Sequence, residues 1–124
     1  MATIALVACA ALIVALGLAH SILGEKYIIR WLLRRDLPLL ANDRRFAGGT
    51  IRFAWHLTTV LCFGLAAVLV VVAVEAPRSA VVLAIGCTLV ASAGLPLWFT
   101  RGRHLSWVVM LVAAALCFWF ASWV

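Results

Sequence analysis

Four stretches of this chain are each long enough and apolar enough to cross a bilayer, and nothing else in the sequence constrains its fold as strongly. A hydrocarbon layer about 30 Å thick takes about 20 apolar residues at a helical rise of 1.5 Å each. Residues 2–19 carry no charge, and His20 follows them. Residues 53–74 hold His56 as their one ionisable side chain other than cysteine. Residues 80–99 are broken near their end by Pro96, and residues 105–124 form the fourth stretch. With their flanking turns the spans are expected over 2–22, 51–74, 80–99 and 104–124. In lipid every backbone N–H and C=O has to be satisfied within the segment, which leaves helices or a closed barrel. A barrel requires alternation of polar and apolar residues, and these stretches have none.

Composition agrees. Hydrophobic residues make up 68% and charged residues 11% of the 124, against about half and a quarter in a soluble domain. A water-soluble globule and a disordered chain are both excluded. The expected fold class is an all-α integral membrane protein with a single domain over 1–124. It is a four-transmembrane-helix antiparallel bundle with an amphipathic interfacial helix over about 25–36, between the first and second spans. The first stretch is expected to stay as a span rather than act as a signal peptide, because Met1-Ala2-Thr3 supplies no positive n-region.

The charges orient this arrangement. Lys26, Arg30, Arg34, Arg35, Arg44, Arg45 and Arg52 lie in the first connection, Arg101 and Arg103 in the third, and Arg78 alone in the second. The positive-inside rule then puts connections one and three in the cytoplasm and both termini outside, in a bacterial-type inner or plasma membrane. The net charge of +6 gathers on the face where anionic headgroups lie. The bilayer is therefore the partner the basic residues imply, and nucleic acid is not. Lys26, Arg30 and Arg34 recur at i, i+4, i+8 opposite Ile28, Trp31 and Leu32, the pattern of a helix lying in the headgroup plane. Gly24 is expected to end or bend the first span, and Leu37-Pro38 to break the interfacial helix. Asn42-Asp43 is expected to cap a short turn, with Gly48-Gly49 a flexible lead-in and Thr50 the N-cap of the second span. All six tryptophans fall near span ends, as an aromatic belt does.

Function is less legible. Cys9, Cys62, Cys87 and Cys117 lie inside spans at no metal-ligand spacing and read as small hydrophobes. Histidine is the informative type. His20, His56 and His104, the only three, stand at the cytoplasmic ends of three different spans. Ionisable groups in a membrane usually face the bundle interior and act there. Three imidazoles with the Glu25 carboxylate supply donors for a metal ion. Two imidazoles supply axial ligands for a b-type haem, with Arg52 and Arg103 placed for its propionates. The same rings can relay protons. His56-Leu-Thr-Thr-Val and His104-Leu-Ser-Trp-Val share a pattern, so a duplicated hairpin would place His56 and His104 equivalently. A hydrolytic triad is not expected, because Ser21 beside His20 and Ser106 near His104 do not face those rings on a helix.

Small residues in the spans, including Ala11, Ala15 and Ala19 at four-residue spacing, allow close helix approach or self-association. The leading expectation is metal or haem binding through His20, His56, His104 and Glu25. The alternatives are a cofactor-free accessory subunit docked in a larger membrane complex or homo-oligomer, and a small proton-coupled carrier.

Overall fold

The computed structural model describes residues 1–35 and 43–124, and its regular structure is helical. We label the helices α1, Ala2–Leu32; α2, Arg44–Ala73; α3, Arg78–Thr100; and α4, Ser106–Ala121. The first three are long and apolar enough to cross a membrane. Helix α4 is as apolar but has 16 residues, about 24 Å of helix, so it is shorter than the 104–124 span expected.

Helix α1 does not stop at Gly24. That residue keeps right-handed helical backbone (φ −62°, ψ −48°), Gly24–Ile29 form a π-helical turn, and Arg30–Leu32 return to α geometry. A separate interfacial helix over 25–36 is thus replaced, as far as Leu32, by the end of the first rod. The cause lies in packing. The indole of Trp55 on α2 fills the space that a side chain at position 24 would occupy, and its Nε1 donates to the His20 carbonyl at 3.1 Å. Interhelical contact on one side therefore holds the helix through a residue that is a weak helix former when unsupported. Lys26 and Arg30 are exposed and Ile29 is fully buried, while Ile28 and Trp31 are exposed as well. The Leu37-Pro38 break, the far end of the 25–36 helix and the Asn42 cap lie outside the described residues.

Helix α2 starts earlier than its span. Asp43 is its N-cap, with extended backbone and a carboxylate that accepts from Arg45 N at 2.8 Å and Phe46 N at 3.2 Å. Gly48, Gly49 and Thr50 are consequently inside the helix, and Thr50 Oγ1 donates back to the Phe46 carbonyl instead of capping. Gly49 has a packing role. A Cβ there would stand 2.2 Å from the Phe99 carbonyl oxygen, so glycine lets α2 rest on the last turn of α3.

Short connections make sequential helices neighbours: α1 packs on α2, α2 on α3, and α3 on α4. Helices α1 and α4 do not touch. The four helices form an open row of sequential neighbours, with no contact between the first and the last to close it. Small side chains fill the contacts, with Ala10, Ala66, Ala73, Ala93 and Ala114 buried, as close packing without a large core requires. Most large aliphatic side chains point outward. Ala11, Ala15 and Ala19 also point outward, so that stripe takes no part in packing within the chain. At the end of α3, Thr100 Oγ1 donates to the Pro96 carbonyl at 2.6 Å and accepts from His104 N at 3.1 Å. The chain then turns through Arg101 (φ 55°) and Gly102 (φ 75°).

Candidate functional site

Two antiparallel helices each carry a pair of polar side chains one turn apart: Ser21 and Glu25 on α1, Arg52 and His56 on α2. Residues four apart on a helix share a face. Antiparallel packing therefore brings Ser21 to His56 and Glu25 to Arg52. Ser21 Oγ and His56 Nδ1 share a hydrogen bond of 2.5 Å. Arg52 grips the Glu25 carboxylate with two donors on one edge of its guanidinium, Nη2 donating to Oε1 at 3.0 Å and Nε to Oε2 at 3.4 Å. The other nitrogen of the imidazole, Nε2, faces Glu25 Oε2 at 3.6 Å, and Arg30 Nε lies 3.6 Å from Glu25 Oε1.

Each partner is held in place. Phe99 stacks on the His56 ring at a centroid distance of 5.7 Å, and the π turn that begins at Gly24 carries Glu25. Such turns are frequent at functional sites. The His56 and Glu25 side chains are 19% and 23% exposed, enough screening from solvent for their charges to interact strongly and enough access for exchange. An open cleft of about 460 Å³ adjoins the cluster, lined by Ser21, Ile22, Glu25, Lys26, Arg30 and His56.

A proton on Nε2 would point at the carboxylate, leaving Nδ1 to accept from the Ser21 hydroxyl. Protonation of Nδ1 as well would create an imidazolium between a carboxylate and a hydroxyl able to reverse its hydrogen bond. The arrangement thus sets a hydroxyl against one ring nitrogen of His56 and a carboxylate oxygen near the other.

The three histidines come to the same end of the molecule and take different partners there. His20 stacks on Trp55 with centroids 4.6 Å apart and ring planes 8° from parallel, and its Nε2 is buried without a hydrogen bond. His104 lies edge-on to Phe53 at 4.7 Å, with Nδ1 2.9 Å from Ser106 Oγ. The ligand set His20, His56, His104 and Glu25 does not assemble. Among the described residues no group of three or more His, Cys, Asp or Glu side chains is placed to hold a metal ion. The two arginines assigned to haem propionates are both engaged with acids, Arg52 with Glu25 and Arg103 with Asp43. A metal centre on these residues is therefore not supported among the described residues. His56 stands well inside α2, whereas His104 precedes α4, so the shared His-Leu pattern does not place the two rings equivalently. All four cysteines are free thiols.

The Arg103–Asp43 pair ties the α3–α4 connection to the start of α2. The guanidinium, followed by the Phe46 and Arg45 backbone N–H groups, holds the Asp43 carboxyl below its ordinary range. Arg103 also lies over the Phe46 ring at 4.8 Å.

Ser21 is the member that sequence reasoning missed. Beside its neighbour His20 it carries no signal; the informative pattern is its four-residue offset from Glu25, mirrored by Arg52 and His56. Compared with family models, with curated proteins and with solved structures, the chain matches none, so its function has to be argued from this cluster.

Proposed function

We propose that the protein is a small integral membrane protein that transfers protons at the basic end of its helices, alone or coupled to a small solute, with His56 as the exchanging group. Ser21 and Glu25 are its hydrogen-bonding and charge partners, and Arg52 fixes Glu25. Connections one and three face the cytoplasm in this reading, as the distribution of Lys and Arg requires. One observation carries it: Nδ1 of His56 shares a hydrogen bond with the Ser21 hydroxyl while Nε2 faces the Glu25 carboxylate at 3.6 Å, beside an open cleft.

Imidazole is the side chain suited to taking up and releasing protons near neutral pH. Polar clusters inside apolar helices commonly mark ion or substrate paths. Metal or haem ligation has less support, because the Glu25 carboxylate near His56 is already clamped by an arginine and the other imidazoles are turned to aromatic partners.

Reconstituting the full chain in liposomes loaded with a pH-sensitive dye tests the proposal. An imposed pH gradient should collapse faster than in protein-free vesicles, and His56→Leu should abolish the difference. Leucine enters hydrocarbon more readily than histidine, so the variant should still insert. Equal proton flux through wild type and His56→Leu would sink the proposal.

A further inference from the structure

We propose that the hollow lined by Arg35, Arg44, Arg45 and Arg52 binds a phosphate group, carried as a monoester or a diester. The hollow has a volume of about 450 Å³, and Leu33, Gly48, Gly49, Trp98 and Phe99 complete its wall. Among the described residues no acidic side chain lines it. Pockets that hold small ligands run from about 300 to 1,000 Å³, so the space suits a headgroup-sized anion.

Three features point to an anion. Arg44 and Arg45 occupy the first turn of α2, where the helix dipole is positive and cations are disfavoured. The guanidinium of Arg45 has no hydrogen-bond or ion-pair partner among the described residues. Arg35 lies over the Trp31 ring at 4.8 Å, a contact that leaves its N–H edge available. Arg35 and Arg45 thus turn guanidinium donors to the concavity, and the planar fork of arginine matches phosphate oxygens two at a time. Trp98, 82% exposed at the rim, is the kind of side chain that settles at the headgroup level. Gly48 leaves the wall open: a Cβ there would meet only Leu33, at 3.4 and 3.9 Å.

Arg52 belongs to this hollow and to the Glu25 clamp alike. Phosphate drawn to Arg52 would compete with Glu25 for it. The binding claim does not depend on proton transfer and is tested apart from it.

The full chain is placed in nanodiscs of equal phosphatidylcholine and phosphatidylglycerol, and lipids retained on release are weighed by native mass spectrometry. In a second arm, chain in phosphatidylcholine discs is titrated with inorganic phosphate against chloride at equal ionic strength. Tryptophan fluorescence is the readout, and Trp98→Phe removes the reporting ring. Retention of one phosphatidylglycerol per chain assigns the site to a lipid headgroup; a saturable response to phosphate alone assigns it to a soluble ester. Either signal should fall at least tenfold in Arg35→Ala/Arg45→Ala. It should fall similarly in Gly48→Met, which blocks the hollow without changing charge. It should persist in Arg34→Ala/Arg78→Ala, which removes two charges elsewhere. Absence of both signals in wild type overturns the proposal, as does a signal that survives in either hollow variant or is lost equally in the remote one.

Discussion

Replacing Gly24 with alanine puts a methyl carbon where the Trp55 indole now lies. The added Cβ would stand 2.1 Å from Nε1, 2.4 Å from Cε2 and 2.6 Å from Cζ2, whereas carbon contacts settle near 3.5–4.0 Å. The indole therefore has to move by roughly 1.5 Å on these contact distances. That displacement breaks the Nε1 hydrogen bond to the His20 carbonyl, a loss of about 1 kcal/mol. It also breaks the His20–Trp55 stack, about 1 kcal/mol more. Overpacking adds roughly 1–3 kcal/mol, and alanine's better helix propensity returns about 1 kcal/mol. The net expectation is a destabilisation of roughly 2–4 kcal/mol. Gly94 provides the control, since a Cβ there meets nothing within 4 Å. Gly94→Ala should be neutral or stabilising by up to about 1 kcal/mol. Unfolding in mixed detergent micelles, followed by far-ultraviolet circular dichroism, measures both. A double-mutant cycle with Trp55→Ala isolates the cause. The reasoning is refuted if Gly24→Ala is as stable as Gly94→Ala, or costs as much without the indole as with it.

Glu25→Gln leaves Arg52 and Arg30 facing a neutral amide; with Arg52 37% exposed, the stability loss should be only about 1 kcal/mol after solvent screening, read from the same detergent titration. The Asp43 carboxyl is held below its ordinary value by Arg103. Its contribution to stability is therefore complete above the unfolded carboxyl's pKa, near 3.8, and disappears as pH falls through the lower folded value. Asp43→Asn should flatten that acid limb of a stability-against-pH curve; an unchanged limb would deny the pairing its effect. Ala67 is exposed on α2, so Ala67→Asp should cost roughly 2.5–3.5 kcal/mol of insertion free energy in a translocon glycosylation assay. Full insertion of that variant would mean that this face of α2 is wet.

Charge-free runs made the helices legible, because a long apolar stretch in a chain this poor in charge has few alternatives. Helix ends were harder. Gly24 reads as an end or bend and Gly48-Gly49 as a flexible lead-in when taken alone, yet all three lie inside helices, and at Gly24 and Gly49 a neighbouring element occupies the space the missing side chain leaves: Trp55 in one case, the Phe99 carbonyl in the other. Such compensation is tertiary and leaves no local trace. The same holds for the candidate site. Shared depth correctly brought the three histidines to one end of the molecule, but depth does not say which way a ring points around its helix axis. That angle, together with the offset of α1 against α2, decided that His56 meets Ser21 and Glu25 while His20 turns to Trp55. The pairing of two i, i+4 couples across antiparallel helices was present in the residue order and became readable only once α1 and α2 were known to be adjacent.

The open row has a mechanical consequence. Each helix gains its lateral support from its immediate neighbours alone, so cohesion is a series of pairwise links, as in repeat arrays. Tension applied at the C-terminus would strip α4 from α3 without disturbing the α1–α2 couple that carries His56, and the chain would peel from its last helix back toward its first. Force spectroscopy from that end should meet resistance in discrete steps, with the pair that holds Ser21 against His56 the last to part.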